Sequence, residues 1–171
     1  MIRLLGAGLV VLAAAGVGLG CAQAVRRQCA QLEGLLWALD LMQSEMVSRL
    51  TPLGELFMKL AACRQREVAA FFRAAGQALL TPPGCTLPVS FQRGFSGAPE
   101  LRPGQEAVQA LYDLAMQLGR FELEAQLAAI EAAKRRITDG YLQLSARRRE
   151  RCRSYGTLGL CAGLALAVIL L

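Results

Sequence analysis

Two long uncharged runs, one at each end of the chain, constrain its fold more than any other feature. From Leu4 to Ala24 there is no charged residue, and the stretch Leu9 to Ala15 is strongly apolar. The run Tyr155 to Leu171 is also uncharged and closes on Leu164-Ala165-Leu166-Ala167-Val168-Ile169-Leu170-Leu171. At about 1.5 Å per residue the first run can cross a hydrocarbon core of about 30 Å. The second crosses only if it stands nearly upright or the bilayer thins. These runs predict a transmembrane helix over 1–24 and another over 155–171. Each carries small residues four apart, Gly16 with Gly20 and Gly159 with Gly163. That spacing would let helix backbones pack closely, between the two ends or between copies of the chain. The plainer reading is that glycine is common in membrane helices.

The charges lie almost entirely between the runs. Nineteen basic against thirteen acidic residues give a net charge of +6. Arg147, Arg148, Arg149, Arg151 and Arg153 directly precede the second run, and Arg26 and Arg27 directly follow the first. Read as membrane flanks, they put the segment 25–154 in the cytoplasm and both termini on the opposite side. No nucleic-acid motif accompanies these arginines, so nucleic acid is not an expected partner. A competing reading exports the middle segment: Ala22-Gln23-Ala24 has the form of a cleavage site, and Cys21 stands where a lipoprotein acceptor would. Either event would leave five arginines on the wrong face, which favours an uncleaved anchor.

Between the runs the apolar spacing is helical. Leu32, Leu35, Leu36, Leu39, Met42, Met46 and Leu50 recur at threes and fours, an amphipathic helix that stops at Thr51-Pro52. Thr51 reads as an N-cap and Pro52 as the first helical residue of the next element. Leu53, Leu56, Phe57, Leu60, Val68, Phe71, Phe72 and Leu79 then predict one helix, and a hairpin with almost no loop. Five of the six prolines fall in 82–104. There only a short helical turn around Val89 to Arg93 is expected. Val108, Leu111, Leu114, Ala115 and Leu118 form a third helical face ending at Gly119, and Leu123, Leu127, Ile130, Ile137, Tyr141 and Leu144 a fourth. Gly140 is a candidate bend. The fold class is therefore all-α: a bundle of about four main helices with a membrane-spanning helix at each terminus.

The composition excludes most catalytic chemistry. There is no histidine, so Ser-His-Asp and Cys-His arrangements are ruled out. The six cysteines form no CxxC pair, and no GxxxxGK loop is present. No metal, cofactor or catalytic residue is expected, and the chain is not expected to be an enzyme. Glu122, Glu124 and Glu131 read as a solvated helix face. The corner Leu118 to Gln126, a glycine between two helices bordered by polar residues, is a place for a partner to dock, with Gly119, Glu122, Glu124 and Gln126 as its candidate residues.

Several of these residues, in this order and spacing, carry a resemblance. Gln31-Leu32, Glu45, Thr51-Pro52-Leu53 with Glu55, Leu118-Gly119 with Glu124 and Gln126, Leu158-Gly159 with Gly163, and the closing Val168-Ile169-Leu170-Leu171 resemble the stage III sporulation protein AB family of endospore-forming bacteria. The likeness covers essentially the whole length. The chain departs from the family pattern at Glu122, where aspartate is usual, at Ser48, often aromatic, and in the more broken 82–104 stretch.

The resemblance implies a component of the complex joining mother cell and forespore, held in the mother-cell membrane that faces the forespore. Its helical domain would be similar to the cytoplasmic domains of the inner-membrane platform proteins of type II secretion and type IV pilus systems. The implied partners are a secretion-type ATPase, stage III sporulation protein AA, and other membrane proteins of the sporulation complex. The expected function is a non-catalytic platform that docks the ATPase, and the continuous helix expected from Phe121 through the arginines into the second run would let it transmit position or torque to membrane neighbours. A channel or transporter subunit built from oligomerised anchors is the alternative, disfavoured by how few polar residues the anchors hold.

Overall fold

The structure, a computed structural model, describes the backbone of residues 2–48, 51–119 and 122–170 and, within these, the side chains of 23–48, 51–119 and 122–146. Among the described residues six helices follow in order: α1 (Ile2–Ser48), α2 (Leu53–Leu60), α3 (Arg66–Leu80), α4 (Leu87–Gly97), α5 (Gln105–Gln117) and α6 (Leu123–Leu170). No strand occurs among the described residues. The chain divides into two compact units, one of Met1–Arg27 with Gln143–Leu171, the other Gln28–Leu142. All the side-chain contacts described below belong to the second unit.

Among the described residues no helix is long and apolar enough to cross a membrane. This corrects the expected fold class: the structure is an all-α fold of six helices without a described transmembrane helix at either terminus. Where the side chains are described, the physical reason lies in the charges. There α1 carries Arg26, Arg27, Glu33, Asp40 and Glu45, and α6 carries Glu124, Glu131, Lys134, Arg135, Arg136 and Asp139. Each such charge costs about 2.5–3.5 kcal/mol at the centre of a spanning helix. Of the expected spans, Gln23 and Ala24 have described side chains, while Gly16, Gly20, Gly159 and Gly163 lie where the backbone alone is described.

The core of the 28–142 unit follows the apolar spacing. Leu32, Leu35, Leu39, Met42 and Met46 of α1 are buried, as are Leu111 and Leu114 of α5 and Ile130 and Ile137 of α6. Aromatic rings fill the space between α2, α3 and α4. Phe71 packs against Phe72, Phe91 and Phe95 with ring centroids 5.0, 5.3 and 4.7 Å apart. Phe57 meets Phe72 and Phe91 edge-on, and Phe95 stacks on Tyr112 of α5. Such pairs add about 0.5–1.5 kcal/mol each beyond the area they bury. Gly94 permits this packing, because a β-carbon there would stand 2.8 Å from Phe71 Cε2 and 3.0 Å from the Phe71 carbonyl oxygen.

Two expected elements differ. The helix expected over 53–79 is broken at 61–65, where buried Cys63 points its thiol at the Gly34 carbonyl of α1 (3.7 Å). The helical turn expected around Val89 to Arg93 is the eleven-residue α4, with Pro88 in its first turn, where a missing N–H costs no intrahelical bond. At the α1–α2 junction Pro52, not Thr51, takes the N-cap position (φ −56°, ψ 138°), and its carbonyl accepts from Leu56 N–H (2.9 Å). The Thr51 hydroxyl instead donates to Glu45 Oε2 (3.0 Å), an oxygen that Lys59 Nζ also reaches.

Polar side chains of α1 tie down the rest of the unit. Gln31, 4% exposed, donates to the Glu100 carbonyl (2.9 Å) and accepts from Arg102 N–H (2.9 Å), while Gln28 donates to the Pro103 carbonyl (3.1 Å). The 98–104 connection, which forms no helix, thus takes three of its hydrogen bonds from α1. Towards α6, Tyr141 donates to Glu33 (2.8 Å), and Lys134 meets Asp40 (2.7 Å), Gln43 (3.1 Å) and Glu131 (3.1 Å).

Candidate functional site

The corner between α5 and α6 is built by its glycine. Leu118, 1% exposed, leaves the helix in an extended conformation (ψ 135°), and Gly119 turns the chain with φ 77°. That left-handed value is open to glycine at no cost and strained for most other residues. Gly119 N–H, past the end of α5, donates to Gln126 Oε1 (3.2 Å). Gln126 N–H donates to the Glu122 carbonyl (3.1 Å), the hydrogen bond that opens α6. One glutamine therefore closes the corner with its side chain and starts the next helix with its backbone.

Of the four candidate residues, the structure joins Gly119, Glu122 and Gln126 by hydrogen bonds and sets Glu124 in the exposed first turn of α6. The carboxylates of Glu122 and Glu124 sit near a helix N-terminus, where negative charge is favoured. Thr51 and Pro52 join the same region through their neighbour. A β-carbon on Gly119 would lie 3.5 Å from Leu53 Cδ1 and 3.5 Å from Leu87 Cδ1. The starts of α2 and α4 thus flank the turn, and Leu80 lies against Gly54, whose β-carbon would be 2.7 Å from Leu80 Cδ2. Leu80, Met116 and Leu123 are 53%, 50% and 38% exposed, large apolar side chains left to solvent on these segments. Sequence reasoning misses their convergence, because Leu53 and Leu123 read as parts of their own helix faces and Leu80 and Leu87 as parts of none. The signal available was Leu80 itself, an apolar residue at the very end of α3 before Thr81-Pro82-Pro83.

Beside the corner, a cleft of about 230 Å³ runs between α5 and α6, lined by Ala110, Leu114, Met116, Ala129 and Ala133, with the Arg136–Asp113 ion pair on its wall. It offers one ion pair and an apolar floor, not a set of converging acids and bases. No group of three or more metal-ligating residues occurs among the described residues. Burial pushes the Cys63 thiol up, against a weaker lowering by its backbone hydrogen bond at Gln65. It is protonated at neutral pH, the opposite of what a nucleophile requires.

The fold and corner define an all-helical bundle organised by packing, with a turn and its apolar surround as its most distinctive surface. The family model for stage III sporulation protein AB matches residues 3–171, and the chain belongs to that family. No curated protein matches the chain, and no solved structure does.

Proposed function

We infer that the bundle is a non-catalytic docking platform in the sporulation complex, and that it engages a cytoplasmic secretion-type ATPase, stage III sporulation protein AA, through the Gly119–Gln126 corner. Membership of the family supports the sporulation setting. The observation that carries the docking role is the corner itself: a hydrogen bond from Gly119 to Gln126, with Glu122, Glu124, Leu80 and Leu123 exposed on the segments it joins or packs near. Surfaces of this kind, apolar at the centre and polar at the rim, are what partner proteins use. The bundle then works in the compartment that holds the ATPase, the mother-cell cytoplasm.

Titration of the purified ATPase against the immobilised full-length chain tests the reading. Saturable binding is expected, weakened by about tenfold or more, equivalent to about 1.4 kcal/mol, in Glu124→Arg and in Gln126→Ala. An ATPase that shows no saturable binding to the unaltered chain would refute the platform role.

A further inference from the structure

The cleft between α5 and α6 sets two opposite charges over a floor of small apolar side chains. α5 brings Ala110, Asp113 and Leu114 to it and α6 brings Ala129, Ala133 and Arg136, both at helical spacing. Ala110, Leu114, Ala129 and Ala133 are buried and make the floor. Of the residues that line the cleft only Asp113 and Arg136 are charged, and they are 50% and 58% exposed. Their contact is single, from Nη1 to Oδ2 at 2.5 Å. Nη2 and Nε of the guanidinium and Oδ1 of the carboxylate can therefore still serve a ligand.

Size and charge together narrow what fits. The cleft holds about 230 Å³, below the roughly 300–1,000 Å³ of sites that take drug-sized ligands, so its occupant is small. An anion that reached Arg136 would meet the Asp113 carboxylate on the same guanidinium, and a cation that reached Asp113 would meet Arg136. A purely apolar molecule would cover both charges and replace none of their water. A molecule with both charges at one end and aliphatic carbon at the other matches the ion pair and the floor at once.

We propose that the cleft binds a free aliphatic α-amino acid of the leucine type. Its carboxylate sits on Arg136, its ammonium on Asp113, and its side chain on the alanine floor. The alanines supply the room that larger residues would fill, and the ion pair selects the head group. The proposal is independent of the docking role of the Gly119–Gln126 corner.

NMR titration of the full-length chain carrying isotope-labelled alanine methyls tests the site with L-leucine, glycine, isocaproate and isoamylamine. Isocaproate is leucine without its ammonium, and isoamylamine is leucine without its carboxylate. L-leucine is expected to shift the methyls of Ala129, Ala132 and Ala133 saturably, and the other three probes to bind about tenfold or more weakly. Asp113→Asn should remove the preference for L-leucine over isocaproate, and Arg136→Gln the preference over isoamylamine. Ala132→Leu, on the rim, should fill the mouth and weaken L-leucine about tenfold at an unchanged melting temperature. All three variants change exposed side chains, so none of them disturbs the core.

Absence of a saturable shift up to the solubility limit of L-leucine overturns the proposal. Equal binding of L-leucine and either single-charge analogue by the unaltered chain also overturns it, because the ion pair would then take no part in recognition. Saturable shifts that leave Ala129, Ala132 and Ala133 unmoved, or that Ala132→Leu does not weaken, place the amino acid elsewhere and remove it from the cleft.

Discussion

Gly119 and Gln31 each make a fold-level connection that few other residue types can make in place. At Gly119 the obstacle to substitution is conformational rather than steric, since a β-carbon would make only ordinary contacts at 3.5 Å while φ stands at 77°. Gly119→Ala should therefore cost about 1–2 kcal/mol, and Gly119→Asn clearly less, because asparagine tolerates the left-handed region. Urea denaturation of the two variants beside the parent chain checks the ordering. Gln31 is a different case, a nearly buried amide that satisfies a donor and an acceptor of the 98–104 connection at once. Gln31→Leu keeps the volume and leaves Glu100 carbonyl and Arg102 N–H without that partner. The expected loss is about 1–3 kcal/mol, read in the same denaturation experiment.

At the scale of helices, glycines in apparently similar settings have opposite roles. A β-carbon on Gly94 would press into the Phe71 ring and backbone from two sides, so Gly94→Ala should destabilise the α3–α4 pair by about 1–3 kcal/mol. Gly140 has its nearest neighbour, Glu106 Oε2, at 3.9 Å. It lies inside α6 with nothing to accommodate, and Gly140→Ala should stabilise the protein by up to about 1 kcal/mol. Thermal melting of both variants reads the two signs together. The same contrast shows what the sequence makes legible. The faces of α1 and α5 can be read directly, since their leucines recur at helical spacing and most are buried, whereas on α6 only Ile130 and Ile137 of the expected face are buried and Leu123 is 38% exposed. The break at 61–65 cannot, because Ala61, Ala62, Arg64 and Gln65 are all compatible with helix, and the interruption is visible only in the packing that brings Cys63 and Gln65 against Gly34. The prolines hide α4, although one of them, Pro88, stands where a helix accepts it. In the corner, Gly119 is legible as a stop, whereas Leu53, Leu80 and Leu87 converge on it only through topology.

For the 28–142 unit as a whole, two sets of contacts hold the helices together, and they differ in kind. The polar one joins α1 to α6. Its bond to Asp40, foremost, raises the Lys134 pKa above the ordinary 10.5, and hydrogen bonds, Lys134 first and Gln43 next, lower that of Glu131 below the ordinary 4.5. The lysine's contribution is complete below pH 10.5 and disappears as pH rises through its higher folded value. The glutamate's is complete above pH 4.5 and disappears as pH falls through its lower folded value. The tie is therefore whole across the neutral range, and both groups are open enough to solvent that its worth is small. Lys134→Met should lower the urea midpoint slightly at pH 7, with the gap narrowing at pH 3. The aromatic set is the larger. Phe71 touches rings from α3 and α4 and, through Phe72 and Phe91, Phe57 of α2, with Tyr112 of α5 reached by way of Phe95. Phe71→Ala should cost about 3–5 kcal/mol, a large part of the total stability of a domain this size. Since four helices share that one ring cluster, the loss should appear as a shift of a single cooperative transition, with hydrogen-exchange protection falling together in α2, α3, α4 and α5. Loss confined to α3 and α4 would mean that the ring cluster does not unite the bundle.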